Sequence, residues 1–101
     1  MMIEFSIVPL GAGASVSPVI ARVLKIIMDS GIPYKANPMD TVIEGEWDEL
    51  MGLVRKCHSE ALKDADRVVT NIKIDDYKGK GLRLEKKLES VEQRLGKKLK
   101  R

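Results

Sequence analysis

The spacing of apolar residues changes period several times along this chain, and the order of those changes narrows the fold more than any single motif. Residues 2–9 alternate, with Ile3, Phe5 and Ile7 on one side and Glu4, Ser6 and Val8 on the other, the pattern of a half-buried strand. Val16, Ile20, Val23, Leu24 and Ile27 then recur at helical spacing. Ser17 before Pro18 supplies a helix start, with Ser17 as N-cap and proline at the first helical position, and Gly31 supplies the stop. Residues 32–36 and 40–46 read as two short strands joined by a Pro-containing turn. Glu46, Asp48 and Glu49 crowd the start of a second helix, where the helix dipole favours acids, and Leu50, Val54, Cys57 and Ala61 form its buried stripe. Residues 67–75 alternate again, Val68, Thr70, Ile72 and Ile74 opposing Val69, Asn71 and Lys73. After a two-glycine turn at 76–81, Leu84, Leu88, Val91, Leu95 and Leu99 give the stripe of an amphipathic helix.

The resulting order is β-α-β-β-α-β with an added C-terminal helix. Two right-handed crossovers in that order give a four-stranded antiparallel sheet with both main helices on one face. The fold class is therefore α+β, a ferredoxin-like sandwich, and 101 residues suit a single domain spanning residues 1–101. The other sheet face has no helix assigned to cover it. Ser6, Glu44 and Asn71 fall on that face beside Val8, Val42 and Val69. A half-apolar open face, with the fourth strand at a sheet edge, predicts burial against another copy as a homodimer or homotetramer.

Composition excludes several classes. A hydrophobic content of 44% with 33% charged residues is that of an ordinary globular protein, and four aromatics leave an aliphatic core. Cys57 is alone, which rules out an intrachain disulfide and points to a reduced, cytoplasmic setting. No apolar run approaches bilayer length, and no basic region precedes an apolar segment at the N-terminus, so neither a membrane span nor a secretory signal is expected. The net charge of +3 is uneven: residues 83–101 hold eight basic and three acidic side chains, leaving the remainder acidic by two. The basic pI is thus a property of the tail.

Glu44 is the first candidate for chemistry. It lies two residues after Val42, on the same side of the pleat. A carboxylate on a strand in so small a chain either faces water or meets a polar ligand. Other signals are weaker. Gly11-Ala-Gly13 before a helix start could cradle an anion, but the third glycine of the dinucleotide fingerprint is absent and a flexible connector accounts for it better. His58 adjoins Cys57, yet helical neighbours point about 100° apart, which disfavours a catalytic pair. No metal-ligand spacing is present, and no metal or cofactor is predicted. Trp47 suits packing at the start of the second helix, and the Lys97–Arg101 cluster suits a solvated helix end.

Five ordered fragments carry a resemblance. They are Ser6-Ile-Val-Pro9-Leu-Gly11, Ser15-Val-Ser17, Gly31-Ile-Pro-Tyr34, Met39-Asp-Thr41-Val-Ile-Glu44-Gly45, and Arg67-Val-Val-Thr70-Asn-Ile-Lys73-Ile-Asp75. Together they resemble the thiamine-binding, YkoF-like family of small proteins over nearly the whole chain. The resemblance implies a ferredoxin-like fold and assembly into dimers and tetramers through sheet pairing and sheet faces. It also implies a site for thiamine or its hydroxymethylpyrimidine part, without catalysis. Its matching positions are Ser6, Pro9 and the loop after it, Tyr34, Thr41 and Glu44; Asn71, on the predicted face of Ser6 and Glu44, completes the candidate set. The chemistry is compatible. A carboxylate and hydroxyls complement the amine and ring nitrogens of an aminopyrimidine, and a carboxylate or an aromatic face such as that of Tyr34 favours the thiazolium cation.

Two other classes compete. RNA-recognition or regulatory modules share the fold, but the former stack bases on aromatics of the central strands, and here the central strands hold only Phe5, whose alternation assigns it to the core. An enzyme would need a triad, a metal cluster or paired carboxylates, and the chain offers only Glu44 with Glu46. The fold by itself decides nothing among these readings.

Overall fold

The computed structural model describes residues 1–11 and 16–101, so the connector reading of Gly13 and its neighbours lies outside the described residues. The elements are β1 (Met2–Leu10), α1 (Ser17–Asp29), β2 (Tyr34–Ala36), β3 (Thr41–Glu44), α2 (Trp47–Leu62), β4 (Arg67–Asp75) and α3 (Lys86–Leu95). The sheet order is β2-β3-β1-β4 with every neighbouring pair antiparallel, the ferredoxin-like arrangement. All of β1 pairs with β4, from Met2 opposite Asp75 to Leu10 opposite Arg67, whereas β3 reaches only from Met2 to Phe5. From Ser6 onward β1 is therefore flanked on one side only, which is why Pro9, lacking an N–H, is tolerated in a central strand.

The alternation of β1 turns Ile3, Phe5 and Ile7 toward α1 and α2, where they meet Val19, Val23, Ile27, Leu50, Leu53, Val54 and Cys57. Ile3, Ile27, Ile43, Leu50 and Cys57 are fully enclosed. Burying each large aliphatic side chain contributes about 1.5–3 kcal/mol, so this layer holds the sandwich together.

Several boundaries differ from the sequence expectation, each for a local reason. Val16, not Ser17, is the N-cap of α1, and no side chain caps it; the helix already includes Ser17, with proline in its first turn. At the other end Ser30 Oγ donates to the Ile27 carbonyl (2.6 Å) and accepts from the Ile32 N–H (3.1 Å). Gly31 then takes the left-handed conformation (φ 76°) that ends the helix. Residue 32 thus belongs to the cap, and β2 begins only at Tyr34. β3 stops at Glu44 because Glu46 already occupies the N-cap position of α2, without a side-chain cap, although the Gly45 N–H still donates to the Met1 carbonyl (3.0 Å) one step beyond the Met2–Glu44 pair.

The expectation that no helix covers the second sheet face needs correction. Residues 83–88 fold over one end of it, and Leu84, Lys87 and Leu88 stand above Met2, Glu4 and Val42. Asp75 at the end of β4 holds the segment by ion pairs to Arg83 (3.0 Å) and Lys87 (3.2 Å). α3 itself ends earlier than its apolar stripe. Gly96 adopts φ 70° and the Leu99 N–H turns back to Glu92 Oε2 (2.6 Å). No residue of α3 is buried, and Val91 and Leu95 remain 43% and 57% exposed.

Candidate functional site

The register dictates which side chains share the face away from α1 and α2. Ser6 lies opposite Asn71, Glu4 opposite both Val42 and Lys73, Met2 opposite Glu44 and Asp75, and Lys35 opposite Val42. Because neighbours in a strand alternate, these residues point the same way. All but Glu44 line one or both of two adjoining cavities.

The smaller hollow, about 280 Å³, sits where Ser6 and Asn71 face each other. Glu4 and Lys73 form one side, and Met39 and Asp40 from the β2–β3 turn overhang the other. That turn is fixed by Asn37, whose backbone N–H donates to the Asp40 carbonyl (2.8 Å) and whose side-chain amide donates to Asp40 Oδ1 (3.1 Å). Phe5 and Ile72 complete its lining, so the hollow brings together a hydroxyl, a carboxamide, two carboxylates and an ammonium.

The larger cleft, about 720 Å³, runs under the 83–88 segment and falls within the usual range for small-molecule sites. Met2, Glu4, Val42 and Lys73 floor it, Leu84 and Leu88 give an apolar roof, and Lys35, Lys87 and Arg101 ring it. Glu4 and Lys73 border both cavities. Asp75, on the rim, has its carboxyl held below the usual range by hydrogen bonds from Lys87 and then Arg83.

Glu44 is only 2% exposed although it lies on the open face. Its carboxylate accepts hydrogen bonds from the backbone N–H groups of Arg83 and Leu84, the latter at 3.0 Å. A buried carboxylate needs such donors, and here the chain itself supplies them. Tyr34, 39% exposed, stands beside Glu44 at a third hollow of about 360 Å³ with Pro33, Leu82 and Leu84.

The six candidate positions are thus not one constellation. Ser6 and Asn71 meet directly, and Glu44 and Tyr34 share a separate hollow. Thr41 and Pro9 lie on the helix face, both buried, Thr41 opposite Phe5 and Pro9 opposite Val68. The expected closeness of Thr41 to Glu44 and Ser6 does not occur, because an offset of three residues in a strand reverses the face. Glu4, Lys73, Met39 and Asp40 were not among the candidates; Glu4 and Lys73 carry the same alternation signal as Ser6 and Asn71.

Other reactive side chains stand apart from these cavities. Cys57 is enclosed in the core, and burial pushes its thiol up to about 11. His58 Nδ1 instead meets Thr70 Oγ1 at 2.6 Å, tying α2 to β4. Among the described residues no three His, Cys, Asp or Glu side chains are grouped to hold a metal ion, and no helix is long and apolar enough to cross a membrane. Phe5 is buried against the helices, so it offers no platform for a base.

The profile of the family described as thiamine-binding protein matches residues 3–92. The UPF0045 protein MJ1052 of Methanocaldococcus jannaschii is 40% identical over 88 residues, covering 87% of this chain and 88% of its own. Its crystal structure superposes with a TM-score of 0.82 at 39% identity, covering 89% of this chain and 93% of that one. The UPF0045 protein YqgV of Bacillus subtilis is 39% identical over 98 residues, covering 91% of this chain and 94% of its own. A Thermotoga maritima protein, provisionally described as a thiamine biosynthesis/salvage protein, matches with a TM-score of 0.76 at 29% identity, covering 89% of this chain and 96% of that one. The family match runs from β1 into α3, and by that match the chain belongs to the thiamine-binding protein family.

Proposed function

We propose that this chain is a non-catalytic binding protein for thiamine or its hydroxymethylpyrimidine part, working in the cytoplasm as a homodimer or homotetramer. The observation that carries the reading is the facing pair Ser6 and Asn71, set in a hollow of about 280 Å³ beside Asp40 and Glu4. An aminopyrimidine presents an exocyclic amine next to a ring nitrogen. The Asn71 carboxamide has an acceptor and a donor side by side and can meet both at once. The Ser6 hydroxyl serves either role, and a carboxylate strengthens the bond to the amine. Met39, exposed on the overhanging turn, can lay its thioether against the ring. The remainder of thiamine then extends into the cleft. Glu44 and Tyr34 act on the site through the 83–88 segment, which Glu44 anchors and which roofs the cleft.

The family's description as a binding protein supports the non-catalytic reading. Assembly is supported by exposed apolar residues on the open face, Val8, Leu10 and Val69, next to the free edge of β4. Calorimetric titration with thiamine and with hydroxymethylpyrimidine tests the function. Wild type should bind, and Asn71→Ala should weaken both ligands by about ten-fold, the cost of one or two hydrogen bonds. Failure of wild type to bind any pyrimidine would remove the assignment. Light scattering tests assembly, and a species of 11.3 kDa would refute it.

A further inference from the structure

The charges around the larger cleft are unequally satisfied. Lys35 pairs with Glu85 (3.3 Å), Lys87 with Asp75 (3.2 Å), and Arg101 with both Glu85 and Glu92 (2.9 Å each). Lys73 has no ion-pair partner among the described residues, and neither does Glu4, although the two lie directly opposite on adjacent strands. Both border the hollow and the cleft, so they form the threshold between them. Any ligand with its ring in the hollow and its remainder in the cleft must cross this threshold. An unpaired carboxylate and an unpaired ammonium side by side complement a molecule that carries both charges.

Resting on the binding function proposed above, we propose that the preferred ligand is a phosphate ester of thiamine rather than the free alcohol. Its pyrimidine occupies the Ser6–Asn71 hollow. The thiazolium cation lies against Glu4 at the threshold, and the phosphate enters the cleft, where Lys73 supplies the free positive charge. Because the neighbouring cations are already engaged, Lys73 is the side chain that separates phosphorylated from unphosphorylated ligand. A phosphate monoester carries nearly two negative charges at neutral pH and forms strong charge-assisted bonds to an ammonium group. The apolar roof of Leu84 and Leu88 screens that contact less than open water would.

Calorimetric titration of the full chain with thiamine, thiamine monophosphate and hydroxymethylpyrimidine tests this, in wild type, Lys73→Gln, Lys73→Arg and Glu4→Gln. Lys73 and Glu4 are exposed, so the variants should fold, and circular dichroism checks that they do. The monophosphate should bind wild type about ten-fold more tightly than thiamine. Lys73→Gln should bring that ratio close to one, Lys73→Arg should keep it, and added salt should reduce it. Glu4→Gln should weaken the two thiazolium-bearing ligands more than the neutral pyrimidine. Equal affinity of wild type for thiamine and its monophosphate, or a ratio untouched by Lys73→Gln, would overturn the phosphate assignment while leaving pyrimidine binding in place. Absence of binding by all three ligands would overturn both.

Discussion

Glu44→Gln removes one negative charge and exchanges one acceptor oxygen for a donor, at a position where both oxygens are used. In the native chain the carboxylate takes the N–H groups of Arg83 and Leu84. Glutamine can accept from one of them, and its own amide then faces the other donor. A hydrogen bond to a charged group contributes about 1.5–3 kcal/mol, so docking of the 83–88 segment should weaken by about 2 kcal/mol. At 1.4 kcal/mol per decade the undocked population rises roughly thirty-fold. α3 has ten residues, none buried, and a helix of that length does not persist alone. Undocking should therefore expose the whole 83–95 stretch. The melting midpoint of the sandwich core should move little, because none of its packed residues is touched. Hydrogen exchange of α3 amides and the rate of tryptic cleavage at Lys86 and Lys87 read the effect directly. Glu46→Gln is the control, since Glu46 is exposed and its side chain caps nothing. If the two variants exchanged α3 amides at the same rate, the carboxylate would not be what holds the segment down. Thiamine affinity should fall in Glu44→Gln as well, because the cleft loses its roof.

Asp75 confers a pH dependence on the same segment. Its folded pKa is depressed below the ordinary 3.8 by Lys87 and Arg83, so its contribution is present above that value and lost as pH falls through the lower folded one. Helicity of α3 followed from about pH 5 to about pH 2 should decline in wild type, and Asp75→Asn should show weakened docking already at the upper limit; identical profiles would refute the ion-pair clamp. The Cys57 thiol, buried and pushed up to about 11, should react with a disulfide reagent only as fast as the chain unfolds. Rapid stoichiometric labelling of native protein would contradict its burial. Leu88→Asp places a charge in the apolar roof and should raise α3 exchange rates or change the assembly size, while unchanged values for both would mark α3 as a free tail.

The element order was readable because period two and period 3.6 are properties of consecutive residues. Ile3-Phe5-Ile7 and Val68-Thr70-Ile72 cannot bury one face as helices, and Val23, Leu24 and Ile27 cannot as a strand. Boundaries were harder, since they depend on where individual backbone groups find partners. The Ile32 amide goes to Ser30 Oγ and the Gly45 amide to the Met1 carbonyl. The first leaves the start of β2 at Tyr34, with the Ser30-Gly31 pair as its one sequence signal, and the second is a backbone bond that carries the β1–β3 pairing past Glu44 without any side-chain pattern to detect.

The site divides along the same line. That Ser6 and Asn71 share a face follows from alternation, but that they stand opposite each other requires the register between β1 and β4, set by nine consecutive pairs. Alternation also separates Thr41 from Glu44, an inference open to the sequence that grouping by family position passes over. The burial of Glu44 is of another kind. Its partners are amide groups, which every residue except proline has, so nothing about Arg83 or Leu84 as residue types announces them. The cleft inherits that property: its floor is legible in the strands, and its roof exists because one strand carboxylate is satisfied by backbone forty residues away. The chain uses its most conspicuous polar strand residue to build the cavity, while Glu4 and Lys73, unremarkable in the sequence, border both cavities without an ion-pair partner among the described residues.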